Sequence, residues 1–414
     1  IEKSPGKYVM LPANARKRRV ELEKRIALLK EYSQGFSGNR IEWGDRSRGF
    51  ITSGICYQYV KEVFPEASVL KLGMTWPLPE GLIREFADSV DEVIVVEELD
   101  PFLETHIKAL GIRCRGKEII PSIGELSPNM IKRSVIGEDA NSFYQPPQLP
   151  MRPPNMCPGC PHRGLFYVLS RLGLFVSGDI GCYTLGALKP LSAMDSCICM
   201  GASVGNAHGM EKTIGEDAVG KIVAVIGDST FVHSGITGLI DIVYNRGCST
   251  VIILDNRTTA MTGHQPNPVM GKTIRGEDTN ELDIAALCRA IGIKNVVETD
   301  PHDIDLTYQR VKREVEKREP SVIITKAPCA LLPEVRRLRR PSYEITLEKC
   351  TGCRACLSIG CPAISWVSIT EEEAERLGFK KKQKGYSRID QILCNGCGQC
   401  SYLCKFKAIG KAGE

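Results

Sequence analysis

The sequence predicts an α/β fold class: two α/β domains with parallel sheets, followed by a small α+β module. Three observations predict it. Apolar, β-branched runs alternate with helix-length segments from Phe50 to Leu99, and alternate again between Met156 and Leu332. The remaining stretch, 342–414, is cysteine-dense, holding eight of the 18 cysteines.

The bulk numbers fit this division. A chain of 414 residues is too long for one compact core. With 43% hydrophobic and 25% charged residues it has the composition of a globular protein. No apolar run approaches the ~20 residues that span a bilayer, so no membrane partner is expected. A net charge of +5 is mild for this length and gives no reason to expect nucleic acid. The chain opens at Ile1 without a methionine, charged n-region or apolar h-region. That predicts no signal peptide and suggests a preceding part. So many cysteines in a large leaderless chain point to a reducing compartment and to metal ligation rather than disulfides.

Taken in order, residues 1–40 are polar and helical in character, and Arg16-Lys17-Arg18-Arg19 reads as a solvated face. "FITSGI" reads as a strand, Cys56–Val63 as a helix, "SVLKLG" as a strand, Glu80–Ser89 as a helix and "EVIVVEEL" as a strand, giving a small parallel sheet. The first domain is assigned to 1–144. "QPPQLPMRPPN", with five prolines, makes 145–155 a linker. The second domain, 156–332, has strands "KIVAVIG", "STVIILDN" and "SVIITKAP" and helices at Gly235–Asn245 and Ile304–Lys317. A charged connector, 333–341, precedes the cysteine-dense module.

Within that module Cys350, Cys353, Cys356 and Cys361 give C-x2-C-x2-C-x4-C-P, and Cys394, Cys397, Cys400 and Cys404 give C-x2-C-x2-C-x3-C. Three thiolates at i, i+3 and i+6 wrap one corner of a cubane, and a more distant fourth closes it. Structural zinc sites favour C-x2-C pairs over such triplets. In two-cluster bacterial ferredoxins the fourth cysteine of each run serves the other cluster. The assignment is therefore Cys350, Cys353, Cys356 and Cys404 to one [4Fe–4S] cluster, and Cys394, Cys397, Cys400 and Cys361 to a second. The four-residue gap before Cys361 departs from the usual three. Residues 362–393, with "EEEAER" and "KKKQK", read as an exposed insertion.

"VIGDSTFVHSG" raises a different question, because a buried strand ends abruptly in Gly227, Asp228, Ser229 and Thr230. Asp255-Asn256 closes the next apolar strand, about 25 residues on. Two capped strand ends would account for either half alone. Together, the pair resembles the thiamine diphosphate fingerprint of Gly-Asp-Gly followed by Asn-Asn, with Ser229 and Asp255 as departures. Neighbouring parallel strands would bring Asp228 and Asn256 to one sheet edge, where both offer oxygen to Mg²⁺. By resemblance the Thr258 carbonyl is the third protein ligand, and Thr230 and the amides entering the helix near Gly235 hold the diphosphate.

"CPGCPHRG", "GDIGCYTLGA", "MGASVGNAHG" and "TAMTGHQPNP", together with the ferredoxin-like module and with "ITSGICYQYV" and "KLGMTWPLPE" in the first domain, resemble the 2-oxoacid:ferredoxin oxidoreductases. By that resemblance the substrates are expected to be aryl 2-oxo acids such as indolepyruvate and phenylpyruvate. The resemblance implies a transketolase C-terminal-like first domain, a diphosphate-binding second domain and cofactor contacts at Gly227, Asp228, Ser229, Thr230, Asn256, Thr258, Gly181, Cys182, Met200, Gly201, Thr262 and Gly263. It also implies a proximal [4Fe–4S] cluster on Cys157, Cys160, Cys182 and Cys329, against the alternative of buried free thiols. Cys197 and Cys199 stay unassigned, and Cys56, Cys114, Cys248 and Cys288 read as core.

The implied reaction decarboxylates the 2-oxo acid oxidatively, passes electrons singly to ferredoxin and transfers the acyl group to coenzyme A. The implied setting is cytoplasmic and anaerobic, in a hetero-oligomer with a smaller beta subunit. The glutamate that activates the thiamine pyrimidine is expected outside residues 1–414. Among the six histidines only His233 and His264 fall near the fingerprint, and each is as readily structural. Two alternatives stay open: a different 2-oxo acid such as pyruvate, or an electron-transfer subunit without thiamine chemistry of its own.

Overall fold

The computed structural model describes residues 1–138, 148–338, 340–379 and 383–413. Part of the proline-rich linker and the "KKK" of 380–382 lie outside the described residues. The chain divides into two compact units, Ile1–Pro150 and Met151–Glu414.

The first unit opens with a short helix, Pro5–Tyr8, then a long one, Pro12–Gly35, whose only buried residue is Ser33. Arg18 pairs with Glu21 and Arg19 with Glu23 along its wet surface. A four-stranded sheet follows, in the order β1 (Arg40–Glu42), β3 (Ala67–Leu72), β2 (Asp45–Ser53), β4 (Val93–Val96). β2 pairs in parallel with β3 and β4, but β1 runs antiparallel to β3, so the sheet is mixed rather than purely parallel. β1 escapes a hydrophobicity reading because it is a short polar edge strand. β4 is also shorter than its sequence run. Glu97 leaves the sheet and accepts the Leu103 and Glu104 N–H groups, at 2.8 and 3.0 Å, at the start of helix Phe102–Ala109.

The second unit is built on a six-stranded, wholly parallel sheet. Its order is β6 (Ser196–Cys197), β5 (Phe175–Gly178), β7 (Ile222–Gly227), β8 (Thr250–Asp255), β10 (Ser321–Lys326), β9 (Asn295–Thr299). β7 and β8 are buried almost throughout because helices cover both faces. Val223, Val225, Ile252, Leu254 and Ile323 pack on one side, and Ala224, Ile226, Val251, Ile253, Val322 and Ile324 on the other. At 25 cal/mol per Å², each fully buried Val or Ile contributes roughly 1.5–3 kcal/mol.

Two antiparallel pairs, β11 (Tyr343–Ile345) with β14 (Ile409–Lys411) and β12 (Ile364–Ser368) with β13 (Gly385–Ile389), frame the cysteine-dense module. The segment 362–393 is therefore not merely an exposed insertion. β12 and β13 are its roots, and Ser387 and Ile389 are buried. Among the described residues no helix is long and apolar enough to cross a membrane.

Candidate functional site

β7 and β8 run side by side, with Gly227 opposite Leu254, so both strands deliver their polar ends to one edge. Helical backbone starts at Asp228 itself and continues through a π turn, Phe231–Gly235, into helix Ile236–Tyr244. The amides expected near Gly235 are thus inside a continuing helix, and in the first turn after Gly227 the Ser229 N–H is taken by Asp228 Oδ1 and the Phe231 N–H by Asp228 O. Gly227 is forced by packing: a Cβ there would lie 2.9 Å from the Tyr183 ring. The Tyr183 hydroxyl accepts the Gly227 N–H at 3.0 Å and donates to Ile180 O at 3.1 Å.

Asp228 is 2% exposed. Its Oδ1 accepts the Ser229 N–H (2.6 Å) and the Asn267 side-chain amide (3.2 Å), and Oδ2 accepts the Arg257 N–H (3.0 Å). Burial nevertheless lifts its carboxyl to about 7, and the nearby Asp255 carboxylate adds to the rise. The end of the Asn256 amide lies 2.7 Å from Thr258 O and 3.3 Å from Asp228 Oδ2. With nitrogen turned inward, the amide donates to both. With oxygen inward, the Asn256 oxygen stands from Thr258 O and Asp228 Oδ2 at spacings either side of the roughly 3 Å edge of an octahedron with bonds of about 2.1 Å. The Thr258 hydroxyl beside them is buried without a partner. This donor set suits a hard divalent ion such as Mg²⁺.

A cavity of about 590 Å³ opens at this edge. It is lined by Gly181, Cys182, Met200, Gly227, Asp228, Ser229, Thr230, Asn256, Thr258 and Thr262, and also by His162 and Tyr183. Gly201 stands behind the wall, donating its N–H to both oxygens of buried Asp179 at 3.0 Å. Its φ of +89° and a Cβ position 2.4 Å from Ser234 Cβ leave room only for glycine. Gly263 is exposed at φ +119° and lines nothing there. The two candidate histidines also miss the cavity. Exposed His233 bonds Ser234 Oγ at 2.5 Å, and exposed His264 lies 3.9 Å from Cys329 Sγ. His162 lines it instead, T-shaped against Tyr183, with burial lowering its ring to about 4, so it stays neutral. Its sequence neighbourhood carried no signal beyond the adjacent C-x2-C. Asp179 is a second residue missed. Its oxygens accept Gly201 and Ser203 N–H groups and so cap helix Ala202–Ile214 from a different strand end.

Two further cavities lie in the cysteine-dense module. One, about 400 Å³, is lined by Cys361, Cys394, Cys397 and Cys400. The other, about 330 Å³, is lined by Cys350, Cys353, Cys356 and Cys404. Backbone N–H groups point at two of the sulfurs, Tyr343 at Cys394 (3.4 Å) and Ala408 at Cys404 (3.2 Å). Burial pushes the Cys397 thiol up to about 11 and raises Cys400 further, with neighbouring thiolates adding. Such thiols ionise at neutral pH only with a metal to bind them. Cavities walled by four thiols and floored by N–H donors fit a cubane cluster.

Cys157, Cys160, Cys182 and Cys329 form another neighbourhood. Burial lifts Cys160 to about 12, with Cys157 and Cys329 adding, and raises Cys182, again with Cys329 and Cys157 adding. Cys182 also lines the larger cavity, and the Cys329 N–H donates to Asn256 O at 3.0 Å. Cys197 and Cys199 are exposed. Cys56, Cys114 and Cys288 are buried as expected of core, but Cys248 is only half-buried, at a turn where its N–H reaches Glu211. Among the described residues no three His, Cys, Asp or Glu side chains close on one point as they would round a single ion.

Two family profiles match the chain: the thiamine pyrophosphate enzyme C-terminal TPP binding domain over 179–325, and the 4Fe-4S dicluster domain over 341–408. The indolepyruvate oxidoreductase subunit IorA of Pyrococcus horikoshii is 37% identical over 100% of this chain and 68% of its own length. Those of Pyrococcus abyssi (35%; 100% and 68%) and Archaeoglobus fulgidus (36%; 99% and 67%) are similar. Among solved structures, a 2-oxoglutarate:ferredoxin oxidoreductase from Magnetococcus marinus aligns at TM-score 0.39 and 16% identity, over 45% of this chain and 70% of that one.

Proposed function

The chain belongs to the indolepyruvate oxidoreductase subunit IorA family, and from that membership we propose that it carries the diphosphate site and electron wire of an enzyme oxidising aryl 2-oxo acids. Indolepyruvate and phenylpyruvate would be converted to aryl-acetyl-coenzyme A with release of CO₂. Electrons would leave through the iron–sulfur clusters to ferredoxin. A smaller beta subunit completes the enzyme, which works in an anaerobic cytoplasm.

The observation that carries this reading is the meeting of Asp228, Asn256 and the Thr258 carbonyl at the mouth of a cavity that also contains Cys182. Asp228, Asn256 and Thr258 would hold Mg²⁺, and Thr230 would hold the diphosphate. Thiamine diphosphate, when bound, supplies the electron sink for decarboxylation. The chain's own part is to orient and to dry. Neutral His162 and the Tyr183 ring wall the cavity with no charge of their own, and Met200 gives it an apolar lip. Cys157, Cys160, Cys182 and Cys329 would hold a proximal cluster between this cavity and the ferredoxin-like module.

The test is anaerobic viologen reduction by the complete set of subunits with coenzyme A, compared across 2-oxo acids. Indolepyruvate and phenylpyruvate should outrun pyruvate by at least tenfold in kcat/KM. Pyruvate turnover equal to or greater than theirs removes the aryl assignment.

A further inference from the structure

Arg163 heads the largest fully buried side chains among the described residues, at 1% exposed. Its Nε donates to Cys157 O (3.2 Å), and Nη1 donates to Ile359 O (3.3 Å) and Gly360 O (2.5 Å). Nη2 donates to Asn155 Oδ1 (3.1 Å) and to Met156 O. Every acceptor is neutral, and among the described residues no carboxylate comes within the 4.0 Å of an ion pair. A guanidinium does not give up its proton inside a protein, and a buried charge without a counter-charge is expensive. The groups within its electrostatic reach that would become anions on binding a cluster are the thiols of Cys361, Cys160, Cys157 and Cys397.

The unusual four-residue gap before Cys361 supplies the second observation. Gly360 adopts φ +69°, and a Cβ there would come 2.9 Å from Pro190 and 3.2 Å from Arg163 Nη1. Within that gap, Ile359 and Gly360 present two consecutive carbonyls to the guanidinium. Arg163 also lines the cavity of Cys361, Cys394, Cys397 and Cys400.

We propose that Arg163 is a positioning residue, the built-in counter-cation of the iron–sulfur cluster held by Cys361, Cys394, Cys397 and Cys400. Its hydrogen bonds are spent on neutral acceptors, four backbone carbonyls and the Asn155 side chain, so its charge stays unpaired and is left to act on the cluster whose cavity it lines. A tetrathiolate [4Fe–4S] cluster is an anion and becomes more negative by one charge when it accepts one electron, with no proton or bond moved. A fixed cation in a low-dielectric site favours the reduced form and raises the potential. The inference rests on the reading that these cysteines carry a cluster.

The experiment is a redox titration of the anaerobically assembled holoenzyme, followed by low-temperature electron paramagnetic resonance. Arg163→Met should shift the reduction equilibrium of one cluster about tenfold toward the oxidised form, which is 59 mV lower for a one-electron couple. Arg163→Lys, which keeps the charge, should shift it less than threefold. Equal potentials in Arg163→Met and wild type overturn the proposal, as does an equal shift in both variants, which would make shape rather than charge the cause. Should Arg163→Met assemble no cluster while Arg163→Lys does, the charge requirement is upheld, and loss in both overturns it. A wild-type enzyme without any [4Fe–4S] signal would instead remove the functional reading on which the inference stands.

Discussion

Asparagine at position 228 would separate what the carboxylate costs the fold from what it would do for a bound Mg²⁺. Asp228 is raised from 3.8 to about 7, first by burial and then by Asp255, against the opposing N–H groups of Ser229 and Arg257 and the amide of Asn267. A folded value above the unfolded one means that the native chain keeps a proton which the open chain has lost between those two pH values. The carboxyl's contribution is complete below 3.8 and is lost as pH rises through about 7. The gap between 3.8 and about 7, at 1.36 kcal/mol per pH unit, makes Asp228 cost the metal-free fold roughly 4 kcal/mol above that point, and about 2 kcal/mol at pH 5.5. Asp228→Asn relieves this cost, so the metal-free variant should be more stable than wild type, with a gap that narrows as pH falls. Hydrogen exchange of the β7 and β8 amides at pH 8.5 and 5.5 reads that local stability directly. Mg²⁺ with thiamine diphosphate at about 100 times Kd should then protect the wild type by roughly 2.7 kcal/mol and leave the variant unchanged. A variant less protected than wild type at pH 8.5, or equally protected by the cofactors, would refute the reasoning.

Two further substitutions test other parts of the site. Cys397→Ser should remove the iron of one cluster and leave the other, because Cys350, Cys353, Cys356 and Cys404 line a separate cavity; a chelator assay of released iron checks this, and loss of both clusters would contradict it. His162, lowered from 6.5 to about 4 by burial, has the opposite sign from Asp228: its contribution is present above 6.5 and is lost as pH falls toward 4. His162→Phe should flatten the acid limb of a stability–pH profile by up to about 3 kcal/mol, and an unchanged slope would show that His162 is not its source.

How much of this was legible depends on where chemistry or burial constrains the chain. The runs at β7, β8 and β10 read clearly as strands because both faces are covered and their central positions are apolar and mostly β-branched. β1 did not, because a three-residue polar edge strand leaves no periodicity. Cysteine spacing reads well because a cubane demands it. The helix beginning at Asp228 was hidden, since the residues that open it, Asp, Ser and Thr, equally suit a loop. His162 and Arg163 were hidden for a different reason. Both sit beside the C-x2-C pair in a stretch that reads as polar, yet tertiary packing buries both, at 4% and 1% exposure. No local pattern encodes that.

That packing explains why the cysteine-dense module travels with the six-stranded sheet. Its own buried apolar cluster is small: Cys356, Ile389, Cys400 and Ile409, half of it thiol. So small a core does not hold a module of this size together without a metal or a neighbour. The neighbour is the sheet's core, which takes in Ile359 and Leu403 beside Leu165, Phe166 and Val223. Gln399 adds a polar tie across the same junction, donating to Cys160 O at 3.1 Å. Apolar burial and two buried polar residues, Arg163 and Gln399, therefore act on one short stretch of chain that contains Cys157 and Cys160. A module docked only by surface charges would swing and vary its separation from the diphosphate site. One docked through a shared core holds its cysteines at a constant distance, which single-electron transfer over repeated turnovers requires.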